Sequence, residues 1–148
     1  MCSSLESITI PDSVTEIGSG VFCWCSNLKS IEIPNSVKVI GDQEFAMCSS
    51  LESISIPNSV EYIDEYAFSH CSGLKEVTLP DGIILGKQVF NECESLRNLT
   101  LPDNVSRNGG DIFKDCNSLT VTYKGNEYNY TNFDELYNLI PMTIYRFN

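Results

Sequence analysis

The chain has 148 residues, 9 Lys plus Arg against 20 Asp plus Glu, and a formal charge of -11. A chain of this length supports one core, burying about 68–70% of the surface its unfolded form exposes. Its acidity argues against nucleic acid or an anionic membrane as a partner, because both need clustered Lys and Arg. With 42% hydrophobic and 20% charged residues the composition is that of a globular domain, and no apolar run approaches the roughly 20 residues of a spanning helix.

In chain order, Met1-Cys2-Ser3-Ser4-Leu5 enters a repeating pattern in mid-unit. That entry reads as a piece cut from a longer repeat protein behind an initiator Met, so the lack of a signal-peptide pattern says nothing about secretion. The repeat itself is strong. Prolines fall at Pro11, Pro34, Pro57, Pro80 and Pro102, and phenylalanines at Phe22, Phe45, Phe68, Phe90 and Phe113. Leucines keep the same rhythm at Leu5, Leu28, Leu51, Leu74, Leu96 and Leu119. Self-similarity at such a period signals stacked supersecondary units, none of which can bury its own apolar face.

Within each unit, pairs such as Ile8/Ile10, Ile31/Ile33, Ile54/Ile56, Val77/Leu79 and Leu99/Leu101 alternate as a half-buried strand does. Each ends at proline, which cannot donate to a ladder and turns the chain. A second apolar group, Val14/Ile17, Val37/Ile40 and Val60/Ile63, predicts a second short strand. Gly18, Gly41, Asp64, Gly86 and Gly109 follow it, residue types that tolerate positive φ, so a sharp corner is expected there. No segment has the length of a βα helix, which leaves strand, turn, strand and a short helical turn per unit. Five to six coils at about 4.8 Å each make a rod or shallow arc roughly 25–30 Å long. Two departures are expected to give irregular turns: the fourth unit is one residue short from Gly82 to Phe90, and Asn108 stands in the Ile position of the fifth.

The unit L-x-x-I-x-I-P-x-S-V-x-x-I-G-x-x-x-F-x-x-C-x-x, clearest from Leu28 through Ile31, Ile33, Pro34, Val37, Ile40, Gly41, Phe45 and Cys48, resembles the BspA-type leucine-rich repeats of bacterial surface proteins. The resemblance implies a mostly β, right-handed leucine-rich-repeat solenoid of parallel short strands over 1–119. Residues 120–148 then form a C-terminal cap of the same domain. After Leu119, two alternating runs around Lys124-Gly125-Asn126 read as a β-hairpin. Thr131 or Asn132 can cap a helix with Asp134 and Glu135 in its first turn and an apolar face of Phe133, Leu136, Tyr137 and Ile140, stopped by Pro141. An open solenoid end exposes core and unpaired strand, so a cap is a physical need.

Six cysteines, Cys2, Cys25, Cys48, Cys71, Cys93 and Cys116, share one repeat phase and form a structural column. Disulfides between coils would strain the stacking, because parallel side chains keep the Cβ atoms too far apart, so reduced buried thiols are expected. Cys23-Trp24-Cys25 lacks a second ligand pair at zinc spacing. His70, the sole histidine, has Ser69 and Cys71 beside it, yet occupies the variable slot of Trp24, Met47, Glu92 and Asp115, an exposed place on the turn. It reads as a surface histidine. Neither catalytic nor metal residues are assigned, and no cofactor is expected. The sequons at Asn98, Asn104 and Asn129 mean little in a bacterial protein.

The residue after each repeat Leu is Glu6, Lys29, Glu52, Lys75 and Arg97, which predicts a structural charge ladder of alternating sign that opposes slipped stacking. Thr9, Glu32, Ser55, Thr78 and Thr100, with Ser7, Ser30, Ser53, Glu76 and Asn98 close by, give a flat, hydroxyl-rich strand face suited to a broad protein contact. Tyr62 and Tyr66 are the candidates for an aromatic patch on a binding module, against a role bracing the turn. The expected function is a non-catalytic protein-interaction module, with a purely architectural spacer as the alternative. The resemblance adds adhesion, a cell-surface or secreted location, and a host extracellular matrix protein or another surface protein as partner. It implies neither nucleic-acid binding nor membrane insertion of this segment.

Overall fold

The computed structural model describes residues 2–145. Met1 and 146–148, the outer ends of the two expected segments, lie outside the described residues. Eleven short strands and one helix follow in order: β1 Ser7–Thr9, β2 Ser30–Glu32, β3 Val39–Ile40, β4 Ser53–Ser55, β5 Tyr62–Ile63, β6 Glu76–Thr78, β7 Ile84–Leu85, β8 Asn98–Thr100, β9 Ser106–Arg107, β10 Thr120–Tyr123, β11 Asn126–Tyr128 and α1 Phe133–Leu139.

The strands form two sets on the two sides of a β-solenoid. On one side β1 pairs with β2, β4 with β6, and β8 with β10, all parallel and in register, as in Ile8 with Ile31 and Ile54 with Val77. Between these pieces, from β2 to β4 and from β6 to β8, the strands stack without a hydrogen-bonded ladder. On the other side β3, β5, β7 and β9 make one unbroken parallel sheet. Isolated bridges lengthen it at both ends, from Ile17 to Ile40 and from Arg107 to Met142.

Between the two sets lies the core. Leu28, Leu51, Leu74, Leu96 and Leu119 are buried, as are the five Phe rings and the Cys column from Cys25 onward. The rings stack nearly parallel along the rod, with centroids 5.5 Å apart for Phe22/Phe45, 5.3 Å for Phe45/Phe68, 5.6 Å for Phe68/Phe90 and 6.1 Å for Phe90/Phe113. Such offset stacking adds to what area burial already gives each ring.

Three expectations change in detail. The glycines after the second strand do not have positive φ; the left-handed residues come two positions later, at Gly20, Gln43, Tyr66, Gln88 and Asp111, and again at Trp24, Met47, His70, Glu92 and Asp115. At two of them glycine serves close approach instead: a Cβ on Gly86 would lie 2.9 Å from the Asp64 carbonyl carbon, and one on Gly109 would lie 2.5 Å from the Lys87 amide nitrogen. Second, bonds such as Ala46 N–H to Gln43 O and Cys48 N–H to Phe45 O span three residues, as in a 3₁₀ turn. The left-handed residues divide this stretch into separate tight turns. Third, Asn108 is not in the Ile row. Register places Arg107 opposite Leu85, which pairs with Ile63 in turn, while the Asn108 amide bonds to Leu85 O just as Gly86 bonds to Ile63 O.

The cap begins within the solenoid. β10 continues the parallel stack on β8, so Val121 occupies the apolar strand position that Leu99 fills one coil earlier, and only β11 reverses direction. Lys124 and Gly125, at φ 49 and 78, have the two left-handed residues of a type I′ turn. Asn132 is the N-cap residue of α1, but its side chain accepts from Asn129 N–H rather than from the helix. Phe133, Leu136, Tyr137 and Ile140 are buried on the last coil.

Candidate functional site

The candidate contact face is built from alternation. In β1, β2, β4, β6 and β8 the middle residue turns inward, and its two neighbours face solvent: Thr9, Glu32, Ser55, Thr78 and Thr100 are all exposed, as are Ser7, Ser30, Ser53, Glu76 and Asn98. β1, on the first coil, leaves even Ile8 39% exposed. Two shallow depressions interrupt the face, one of about 670 Å³ over β1 and β2 and one of about 490 Å³ over β6 and β8. Small hydroxyls and carboxylates at coil spacing offer many weak hydrogen-bonding points and no deep apolar pocket.

Beside this face the charged row resolves into dyads. Lys29 Nζ lies 3.1 Å from Glu6, and Lys75 Nζ lies 3.4 Å from Glu52. Among the described residues no ion pair spans Lys29 to Glu52 and none involves Arg97. The two dyads fall on the coil pairs whose strands are hydrogen bonded, β1–β2 and β4–β6. Lys38 and Glu61, 3.4 Å apart, add a rung beside the second sheet.

The cysteine column is hydrogen bonded as well as buried. Four of its thiols donate to the Phe carbonyl of the preceding coil: Cys48 to Phe22 at 3.1 Å, Cys71 to Phe45 at 3.1 Å, Cys93 to Phe68 at 3.2 Å and Cys116 to Phe90 at 2.8 Å. All seven cysteines are free, with Cys2 and Cys23 half-buried and the other five buried. Burial pushes the Cys48 thiol up to about 12 and raises that of Cys71 as well.

Tyr62 does not face solvent. It is buried, its ring stacks on Tyr145 at 4.6 Å, and its hydroxyl donates to Asp64 Oδ1 at 2.9 Å and accepts from Asn108 Nδ2 at 3.2 Å. Burial pushes its hydroxyl up to about 12. Tyr66 is half-buried on the turn side. His70 Nδ1 lies 2.8 Å from Glu92 Oε2. Its chain neighbours are engaged elsewhere, since Ser69 Oγ accepts from Asn91 Nδ2 and the Cys71 thiol turns inward.

Two features were not singled out by sequence reasoning. Glu44 is wholly buried in the slot before Phe45, where other coils have Val21, Ala67, Val89 and Ile112, and neither of its oxygens has a well-formed hydrogen bond. Burial pushes its carboxyl up to about 8, with the nearby Phe22 and Val21 amides only partly offsetting the shift. The other is the left-handed backbone of the slot that Trp24, Met47 and His70 share, at φ 65, 63 and 58. The signal for Glu44 was present as an acid in an apolar row, whereas a slot filled by Trp24, Met47, His70, Glu92 and Asp115 has no glycine or asparagine to mark its left-handed turn.

Among the described residues no group of three or more His, Cys, Asp or Glu is placed to hold a metal ion, and no helix is long and apolar enough to cross a membrane. Comparison with curated proteins finds no match. Solved structures do match. The T. pallidum leucine-rich repeat protein is 29% identical with a TM-score of 0.74, over 78% of this chain and 57% of its own. A leucine-rich cell surface protein from Faecalibacterium prausnitzii is 32% identical with a TM-score of 0.61, over 82% of this chain and 40% of its own. The pneumococcal vaccine antigen PcpA is 30% identical with a TM-score of 0.67, over 82% of this chain and 31% of its own. The chain thus spans less than two thirds of each of these proteins. Six copies of the BspA type leucine-rich repeat region match residues 1–120, and together with the coil geometry they place this chain in that family.

Proposed function

We propose that the chain is a non-catalytic binding module of a bacterial cell-surface or secreted protein, meeting a protein partner through the strand face. The observation that carries this reading is the double row of exposed short polar side chains, from Ser7 and Thr9 to Asn98 and Thr100, held at fixed spacing by the coils. Repeat surfaces of this kind bind over a wide area with many modest contacts. Adhesion to a host extracellular matrix protein is the finer form of the proposal, and it rests on kinship with surface proteins. A spacer role is the competing reading.

Immobilised matrix proteins and whole-cell surface extracts, probed with the labelled chain, test it. Saturable binding that drops at least tenfold in the Glu32→Arg/Thr78→Arg double variant is the expected result. Binding indifferent to that variant removes the strand face from the proposal, and no saturable binding to any protein leaves the spacer.

A further inference from the structure

Glu44 lies where the first two coils meet. Its slot is Val21 in the first coil and Ala67 in the third; the residue is 0% exposed, and neither carboxyl oxygen has a hydrogen-bond partner. The polar groups it faces across the junction are the backbone amides of Val21 and Phe22, both from the first coil. A carboxyl in such surroundings is held neutral, because its charged form loses water and gains no cation.

The junction is bonded unevenly. On the strand-face side β1 and β2 form a ladder, and Lys29 reaches Glu6. On the other side a single isolated bridge, Ile17 to Ile40, stands where β3, β5, β7 and β9 form a continuous ladder across the later junctions. Leu5, Ile10 and Ile17 of the first coil pack on the core only partly buried, and Ile8 stays 39% exposed. Parting this junction therefore gives up less apolar burial than parting one between two fully buried coils. From the first coil the Cys23 thiol, itself under the influence of Asp42, acts on Glu44, and from its own coil the Cys48 thiol does. The third coil presents Ala67 and, among the described residues, no charged group that acts on the carboxyl. Burial raises both thiols, so they stay neutral where a carboxyl titrates.

We propose that the junction between the first and second coils is a pH-operated joint: while Glu44 is protonated the first coil stays docked, and loss of that proton releases residues 2–27 locally while the other coils remain folded. Linkage fixes the sign and the steepness. The docked form keeps the proton up to about 8, and the released form, with the carboxyl in water, gives it up near 4.5. Between these values the ratio of released to docked chain rises about tenfold per pH unit, and it levels off on either side. Release bares the edge of β2 and the Phe45 ring, which otherwise stacks on Phe22, and it takes Ser7 and Thr9 out of the strand face. The joint does not depend on what that face binds.

Amide hydrogen exchange of the full chain, followed residue by residue with NMR from pH 5.5 to 7.5, tests the joint. The Trp24 and Lys29 amides donate across the junction, to Ala46 O and Glu6 O. After correction for intrinsic hydroxide catalysis, both are expected to lose protection about tenfold per pH unit. Their urea dependence should be much weaker than that of global unfolding, because one coil exposes little surface. The Phe68 and His70 amides, which make the same bonds across a later junction to Val89 O and Asn91 O, should stay more protected throughout. Glu44→Gln should flatten the pH dependence at Trp24 and Lys29. Glu44→Val, which copies the slot of the first and fourth coils, should do the same and keeps the test open if the glutamine variant fails to fold. Protection that is flat with pH at either amide in the parent, or a pH dependence that survives both substitutions, overturns the inference. So does a urea slope equal to the global one, since Glu44 would then act on the whole chain at once.

Discussion

Glu44 sets the clearest single-residue test. Its carboxyl is raised to about 8 in the folded chain from an ordinary 4.5, so it binds a proton in the fold at pH values where the unfolded chain has lost it. The stability that goes with that proton is fully present below pH 4.5 and disappears as pH climbs toward 8. Glu44→Gln should therefore match the parent near pH 4.5 and exceed it by roughly 4 kcal/mol at pH 8. Denaturant melts of both proteins across this range check the sign, and parallel pH profiles would sink the assignment. Thiol chemistry offers a second test. With seven cysteines and five of them buried, a chromogenic disulfide reagent at pH 8 should react quickly with two, Cys2 and Cys23, and with the rest only after unfolding. Rapid reaction of four or more would mean that the column is not a packed one.

At the level of the element, the end of the last coil shows how a stack is closed. In earlier coils the Phe amide donates to the next coil, as Phe45 does to Ala67 O and Phe90 to Ile112 O. Phe113 has no next coil, and the Tyr137 hydroxyl accepts its N–H at 2.9 Å while the Tyr137 and Phe133 rings cover the Phe113 ring at 6.3 and 5.4 Å. Tyr137→Phe keeps the ring and strands that buried N–H, so a loss of about 1–3 kcal/mol is expected from urea denaturation. A loss near zero would show that the hydroxyl is dispensable. Arg107 acts beside it. Helix α1 has no base in its last turn, and Arg107 Nε reaches across to the carbonyls of Tyr137 at 2.9 Å and Ile140 at 3.3 Å. Restoring the row's apolar habit with Arg107→Leu should thus destabilise the chain.

The rows themselves were legible, because a constant period says which side chains share a spine. Constant period also misled. Counting residues from Pro102 put Asn108 in the Ile row, whereas backbone pairing skips a residue and puts Arg107 there. Equal spacing likewise suggested a continuous charge ladder, yet Lys29 and Glu52 belong to strands that stack without bonding, and only the dyads close. Exchanging the charges within one dyad, Glu52→Lys with Lys75→Glu, should recover the roughly 0.2–1 kcal/mol that each single change costs at low salt. The partners of Tyr62 were hidden for a different reason: Asn108 and Tyr145, which cover it, are 46 and 83 positions further along the chain, beyond the reach of any local pattern.

For the whole molecule, each coil packs on its neighbours, with the Asn108–Tyr62 bond reaching across one intervening coil, and stability is close to a sum along one axis. Strand β1 is exposed at every position, whereas Ile54 in β4 is buried. Hydrogen exchange should accordingly be graded, fastest in the first coil and slowest in the coils holding Phe45, Phe68 and Phe90. Uniform protection from the first coil to the fifth would contradict the one-dimensional description.

The substitution of a phenol oxygen for a missing peptide carbonyl has a further consequence. One aromatic side chain reproduces, for the coil beneath it, the surface another coil would have presented, so the terminator needs no information about how many turns came before. Extent and ending are then independent variables of such a chain: units can be gained or lost upstream by duplication or deletion while the same short segment continues to seal the stack.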